Sequence, residues 1–272
     1  MRPIGLAALT VLDTPPMEQI GLAERHGFDT VGIRLLPAAP GTTAYPLHTD
    51  PSALREVTAR LADSPVSVFD VEIVRLDASF DPADFEALLA AAAQLGARAV
   101  LTAGDDADLA RLADSYARFA AQCAGYGLVA SLEFMPWTAV PDATAAVRIV
   151  EQADGPGRSV LVDALHTGRS ATTLADLAAI PREWLHYAQM CDGSVPVPTE
   201  TSELIRHARE ERLVPGEGGI ALADIWAMLP ADLPVSVELP NEPRRRELGT
   251  GAWLDLLVAA TRRVLEQVPV AG

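Results

Sequence analysis

Short apolar runs alternate with longer amphipathic stretches along the whole chain. The runs Ile4–Leu12, Thr30–Leu36, Val66–Leu76, Ala99–Thr102 and Leu128–Phe134 read as strands, as do Ser159–Leu165, Trp184–Cys191 and Val235–Leu239. Helical spacing fills the intervals. It predicts helices over about 17–26, from Asp50-Pro51 to Asp63, from Asp81-Pro82 to Gly96, over Asp105–Tyr126 and over Pro141–Gln152. Further helices are expected at Leu174–Ala179, Thr201–Glu211, Leu222–Met228 and Trp253–Gln267. Pro15-Pro16 before the first helix and Gly27 after it mark its two ends.

Strand then helix, about eight times over, predicts an α/β protein with a parallel sheet: a (β/α)8 TIM barrel forming a single domain over residues 1–272. An open doubly wound sheet is the alternative. No Gly-x-Gly-x-x-Gly or P-loop follows any strand, which leaves its dinucleotide-binding form little support.

Composition narrows the chemistry. All 21 basic residues other than histidine are arginine, so chemistry through a lysine Schiff base is excluded. The formal net charge of −16 argues against nucleic acid as a partner. Cys123 and Cys191 have no metal-ligand spacing and make no evident disulfide framework. No apolar run of membrane-spanning length and no signal pattern is visible, so a soluble cytoplasmic protein without a membrane partner is expected. An oligomer is compatible with the sequence.

The polar residues inside the apolar runs carry the functional reading. Ser159-Val-Leu-Val-Asp163-Ala-Leu-His166 is a strand running into a carboxylate and then an imidazole, with a loop expected to begin near His166. Asp163 either caps the next helix or, buried, needs a cation as partner. Period-two alternation sets Glu133 on one face with Val129 and Ser131, and Asp163 with Ser159 and Leu161. It likewise sets Gln189 with Tyr187, and Glu238 with Ser236. In a barrel these four strand ends surround one mouth. Three carboxylates and an amide oxygen converging there would need a cation, and oxygen donors favour one hard divalent ion: Mn²⁺ first, with Mg²⁺ or Co²⁺ also suited.

The ends Leu132-Glu133-Phe134, Asp163-Ala-Leu-His166, Gln189-Met-Cys-Asp192, Arg212-Leu-Val-Pro-Gly-Glu-Gly and Ser236-Val-Glu238 resemble the xylose isomerase-like TIM barrels, over nearly the whole chain. That group includes sugar-phosphate isomerases, ketose 3-epimerases, inosose dehydratases and 3-dehydroshikimate dehydratases. The resemblance implies that Glu133, Asp163, Gln189 and Glu238 hold the metal. It also implies that His166 binds substrate or exchanges a proton, and that Arg212 holds substrate oxygens. Gln189, where His is usual, and Asp163-x-x-His166 are closer to the dehydroshikimate dehydratases. Phe134-Met-Pro-Trp137 departs from their pattern, and Ala139 stands where the ketose epimerases carry a further Glu.

Other positions have two readings. Trp137 walls the pocket or covers the barrel top. Arg75, Glu72 and Arg34 line the mouth or form ion pairs with one another. Asp192 supports the ligands or caps a loop, and Glu217 bonds within its loop. His26, His186 and His207 read as structural.

Together these features predict a metal-dependent isomerase or epimerase. It would transfer a proton next to a carbonyl of a small polyhydroxylated substrate, with Glu133, Glu238 and His166 as the catalytic groups and Arg212, His166, Trp137 and Arg75 binding substrate. The alternative is a dehydratase of the 3-dehydroshikimate or inosose type; the non-enzyme alternative is a sugar- or partner-binding barrel without turnover. A phosphodiesterase like the barrel AP endonucleases would need more histidines than the five present.

Overall fold

The computed structural model describes residues 2–268; residue 1 and residues 269–272 of the expected domain lie outside the described residues. Eight parallel strands close into a barrel in chain order. They are β1 (Ile4–Leu6), β2 (Thr30–Arg34), β3 (Ser67–Leu76), β4 (Ala99–Gly104), β5 (Val129–Glu133), β6 (Arg158–Asp163), β7 (Ala188–Met190) and β8 (Val235–Val237). β1 pairs with both β2 and β8, which closes the ring. The helices are α1 (Pro16–His26), α2 (Pro51–Ala62), α3 (Glu86–Gln94), α4 (Leu109–Gly125), α5 (Ala143–Val150), α6 (Ala164–Arg169), α7 (Leu174–Ala178), α8 (Thr201–Glu210), α9 (Leu222–Met228), α10 (Glu242–Leu248) and α11 (Thr250–Gln267). None of them is long and apolar enough to cross a membrane.

Two apolar layers follow from strand alternation. Outward residues such as Leu6, Val31, Ile33, Val160 and Val237 join the helices in the main core. A smaller cluster, including Phe69, Leu101, Leu161 and Tyr187, stands apart from it. Helix starts are fixed by aspartates: the Asp50, Asp108 and Asp142 carboxylates each accept backbone N–H bonds from the first turn of α2, α4 and α5. Each such cap contributes about 1 kcal/mol.

Several boundaries differ from the sequence expectation. The first strand ends at Leu6, and Ala8–Val11 is a 3-10 turn. Thr10 causes this: its Oγ1 donates to Val237 O at 2.8 Å and accepts from Leu239 N at 2.9 Å, drawing the chain over the end of β8. The seventh strand shortens to Ala188–Met190, with Arg182–Trp184 as a 3-10 turn ahead of it. The fourth helix begins at Leu109 and not Asp105. Asp105 N and Asp106 N instead bond Leu76 O, and Asp108 is the cap. No loop begins at His166, because Asp163 caps α6 directly. α10 was not expected; Asn241 caps it, and Gly249, at φ +79°, breaks it from α11. Arg-rich Glu242–Leu248 lacks an apolar stripe, so periodicity gave no signal there.

Candidate active site

Strand pairing sets the frame. Asp163 is in register with Gln189, and Gln189 with Ser236, so the ends of β6, β7 and β8 lie side by side. Glu133 ends β5 next to β6, and Glu238 follows β8 directly, with its backbone N bonded to Met190 O. The side chains are withdrawn from solvent: Asp163 is 0% exposed, Gln189 1%, Arg212 and His166 2%, Glu133 and Glu238 4%. Burying that many ionisable groups requires internal pairing.

Arg212 supplies much of it. Its Nη1 lies 2.6 Å from Asp163 Oδ2, and its Nη2 2.7 Å from Glu238 Oε2. Nη1 also donates to Glu238 O and to Cys191 Sγ, and Nε to Ala208 O. Asp163 Oδ1 accepts from His166 N at 2.9 Å, so this one carboxylate both caps α6 and pairs with a guanidinium. Both sequence readings of Asp163 therefore hold.

Arg212 is positioned by the loop that follows it. Asp192 accepts four backbone N–H bonds at 2.8–3.1 Å, from Gly193, Gly216, Gly218 and Ile220. Leu213 bridges back to Asp192. Gly216 takes φ +89°, and a Cβ on Gly218 would collide with the Asp192 carboxylate. The glycines of Pro-Gly-Glu-Gly thus let the chain wrap one buried carboxylate. Glu217 points elsewhere, to Arg244.

Glu133, Asp163 and His166 offer atoms that all lie within 4.8 Å of one another. His166 Nε2 is 3.5 Å from Glu133 Oε1, and the Trp137 indole stands edge-on to the imidazole with ring centres 5.1 Å apart. Glu133 Oε1, His166 Nδ1 and both amide atoms of Gln189 have no protein hydrogen-bond partner. Unpartnered buried oxygens beside two further carboxylates are a donor set that fits a divalent cation. Glu133, Asp163 and His166 could hold it, with Gln189 and Glu238 adjoining.

The protein's own charges shift these groups. Burial, then the Glu238 and Asp163 carboxylates, raise Glu133 well above the usual carboxylate range. Burial pushes Glu238 up to about 7, against the pull of Arg212. Burial also works on Asp163, but Arg212 and His166 outweigh it and leave Asp163 below its usual value. Burial lowers His166 to about 4 despite the nearby Asp163. Burial, Glu72 and Glu238 raise Asp70, whose two oxygens have no partner. The site is therefore short of positive charge.

Above it lies a cavity of about 210 Å³. Its lining includes Glu133, Glu238, His166, Trp137 and Arg212. Arg75, Arg34 and Glu72 line it as well, and they are also ion-paired: Arg34 Nε is 2.6 Å from Glu72 Oε2, and Arg75 Nη1 2.5 Å from Asp105 Oδ2. Asp163 and Gln189, both buried, are not among its lining residues. Leu9, Leu12 and Arg209 also reach the cavity and were not foreseen. Arg209 stands in the last turn of α8, and no sequence spacing singled it out. Of the remaining histidines, His26 pairs with Asp255, and His207 lies near Glu203 and Glu211.

The family model for xylose isomerase-like TIM barrels matches residues 20–259. No curated protein sequence matches the chain. Among solved structures, an IolI protein with a bound zinc atom is similar at TM-score 0.78 and 17% identity, covering 99% of this chain and 100% of that one. A probable 3-DHS dehydratase, AsbF of Bacillus anthracis, involved in petrobactin synthesis, is similar at TM-score 0.72 and 16% identity, covering 93% and 98%. A D-psicose 3-epimerase determined in the presence of D-fructose is similar at TM-score 0.73 and 14% identity, covering 97% and 99%. At these identities the likeness is one of fold.

Proposed function

The chain belongs to the xylose isomerase-like TIM-barrel family, and from that premise we propose that it is a divalent-metal-dependent isomerase or epimerase acting on a small hydroxylated carbonyl compound. One observation carries the reading. Two buried glutamates, Glu133 on β5 and Glu238 after β8, border one cavity, and burial raises both above the usual carboxylate range, Glu238 to about 7. β6 and β7 separate them, so they approach a bound molecule from different sides.

Glu133, Asp163 and His166, with Gln189 and Glu238, would hold the ion. A divalent ion there supplies Lewis-acid polarisation of the substrate carbonyl. One glutamate removes the proton from the carbon beside the carbonyl, and the other returns a proton on the far side or to the neighbouring carbon. Arg212 holds Asp163 and Glu238 in place and presents positive charge to substrate oxygens. Trp137 restricts the His166 side of the cavity and limits water there.

Elimination is the second reading. His166, against Glu133 and with Nδ1 unpartnered, favours it, because a group on the base's own side can serve a departing hydroxyl. Incubating the Mn²⁺-loaded protein with ketoses, inososes and 3-dehydroshikimate in D₂O tests both. Deuterium in recovered substrate or an isomer supports the first reading. A conjugated, ultraviolet-absorbing product without any isomer supports the second, and no exchange with any of them counts against both.

A further inference from the structure

Four guanidinium groups line the cavity: Arg34, Arg75, Arg209 and Arg212. Three are ion-paired within the protein, with Glu72, with Asp105, and with Asp163 and Glu238. Arg209 has neither an ion pair nor a side-chain hydrogen bond among the described residues. It is the solvent-exposed member of the set, on the last turn of α8, so it stands at the rim. Partial burial lowers its pKa, and Arg75 and Arg34 lower it further. Their effect exceeds the opposing one of Glu210, the neighbouring acidic residue that also lines the cavity.

The cavity combines buried carboxylates with apolar side chains. Glu72, Glu133 and Glu238 line it and are buried. Leu9, Leu12, Ile73, Leu101, Met135 and Trp137 give it an apolar wall. A neutral polyol would leave hydroxyls against that wall and Arg209 without a partner. An anion inserted head first would meet the buried carboxylates. The arrangement fits a molecule with its carbonyl and hydroxyls against the buried carboxylates, part of its carbon body against the apolar side chains, and an anionic group beside Arg209 at the rim.

We propose that the substrate is a small organic anion, a hydroxylated carbonyl compound carrying a carboxylate or phosphate, and that Arg209 binds this group at the rim and sets specificity against neutral sugars. The proposal rests on the reading that this cavity is the active site, and it names the class of molecule turned over there. Guanidinium groups pair with carboxylate and phosphate alike through forked N–H donors, so the chemistry is shared. The volume of about 210 Å³, below the range of about 300–1,000 Å³ for drug-sized ligands, restricts the anion to a small metabolite.

The test is binding of matched pairs to the Mn²⁺-loaded full chain by titration calorimetry: shikimate against its methyl ester, and D-ribulose 5-phosphate against D-ribulose. We expect at least one anion to bind roughly tenfold or more tightly than its neutral partner. In Arg209→Gln the difference should fall below about twofold, with metal content and melting temperature unchanged. Discrimination in the first pair only identifies a carboxylic acid substrate, and in the second only a phosphate ester. Equal binding within both pairs, no binding at millimolar concentration, or discrimination that survives in Arg209→Gln overturns the proposal; the last would mean that the metal and not Arg209 attracts the anion. The D₂O exchange experiment is scored separately. Discrimination lost in Arg209→Gln with no exchange in any compound would retain the anion site and reject the isomerase reading.

Discussion

Arg212 Nη1 lies 2.6 Å from Asp163 Oδ2, with both residues buried, and the same guanidinium reaches Glu238 through Nη2. A cation is therefore already built into the ring of carboxylates that borders the candidate metal position. A divalent ion held there would share its anionic partners with Arg212.

Removing Arg212 should expose that sharing. In EDTA-treated protein, Arg212→Met leaves Asp163 and Glu238 buried without a counter-charge, which costs about 3–5 kcal/mol. Urea denaturation should show the loss. Adding Mn²⁺ should then recover more stability in Arg212→Met than in the wild type, because two carboxylates are freed to bind it. Equal Mn²⁺ stabilisation of both proteins would reject the shared-partner account.

Glu133 should be needed for the ion and for turnover. Glu133→Gln keeps the shape and removes one anionic donor. Metal content measured by inductively coupled plasma mass spectrometry should fall from about one ion per chain, and D₂O exchange should fall with it. A fully loaded and fully active variant would remove Glu133 from the site.

His166 offers a sharper separation. Its imidazole faces Glu133 and Trp137 but is bonded to neither at hydrogen-bond distance. If it handles a proton, His166→Ala should lose about 10²-fold or more in kcat while retaining at least part of its metal. If its main role is to hold the ion, metal content should collapse together with activity. Wild-type kinetics in His166→Ala would make it a packing residue.

Asp192 is predicted to act through Arg212. Its four backbone bonds hold the Pro-Gly-Glu-Gly loop. Asp192→Ala leaves those N–H groups without an acceptor, which costs about 1–3 kcal/mol for each one that stays buried. Substrate affinity should weaken more than metal affinity. Hydrogen exchange at Gly216 and Gly218 should rise; unchanged protection there would count against the anchoring role.

Much of this site could be read from the sequence, for a definite reason. Glu133, Asp163, Gln189 and Glu238 interrupt apolar strands at their carboxyl ends, where alternation and barrel geometry leave few choices of direction. The eight strands followed from the same periodicity, although β1 and β7 proved much shorter than their apolar runs. Partners were less legible. Nothing in the sequence says that Arg212 lies 2.6 Å from Asp163, 49 positions away, and not against solvent. Asp192 was read as a support for the ligands or a loop cap, and it accepts four loop N–H bonds, but which backbone groups it would hold had no sequence signal. Thr10 redirected the end of β1 through one hydroxyl, a signal that hydropathy does not carry.

The last prediction concerns proton linkage in EDTA-treated protein. Glu238 is raised by burial to about 7, above an ordinary value of 4.5. The folded state therefore holds more protons than the unfolded one between those values, and this contribution to stability is lost as pH rises through 7. His166 acts oppositely. Burial lowers it from 6.5 to about 4, so its contribution is present above 6.5 and is lost as pH falls toward 4. The two trends oppose each other between about pH 4.5 and 6.5, and a scan of wild-type melting temperature there understates both. Glu238→Gln should make the dependence of melting temperature on pH more positive over this window, and His166→Gln should make it more negative. Above pH 6.5 the imidazole is neutral in both states, and a divalent ion, which needs ionised carboxylates, should stabilise the wild type more at pH 8 than at pH 5.5. Parallel pH profiles for all three proteins, or Mn²⁺ stabilisation equal at the two pH values, would show that these buried groups do not exchange protons as their surroundings dictate.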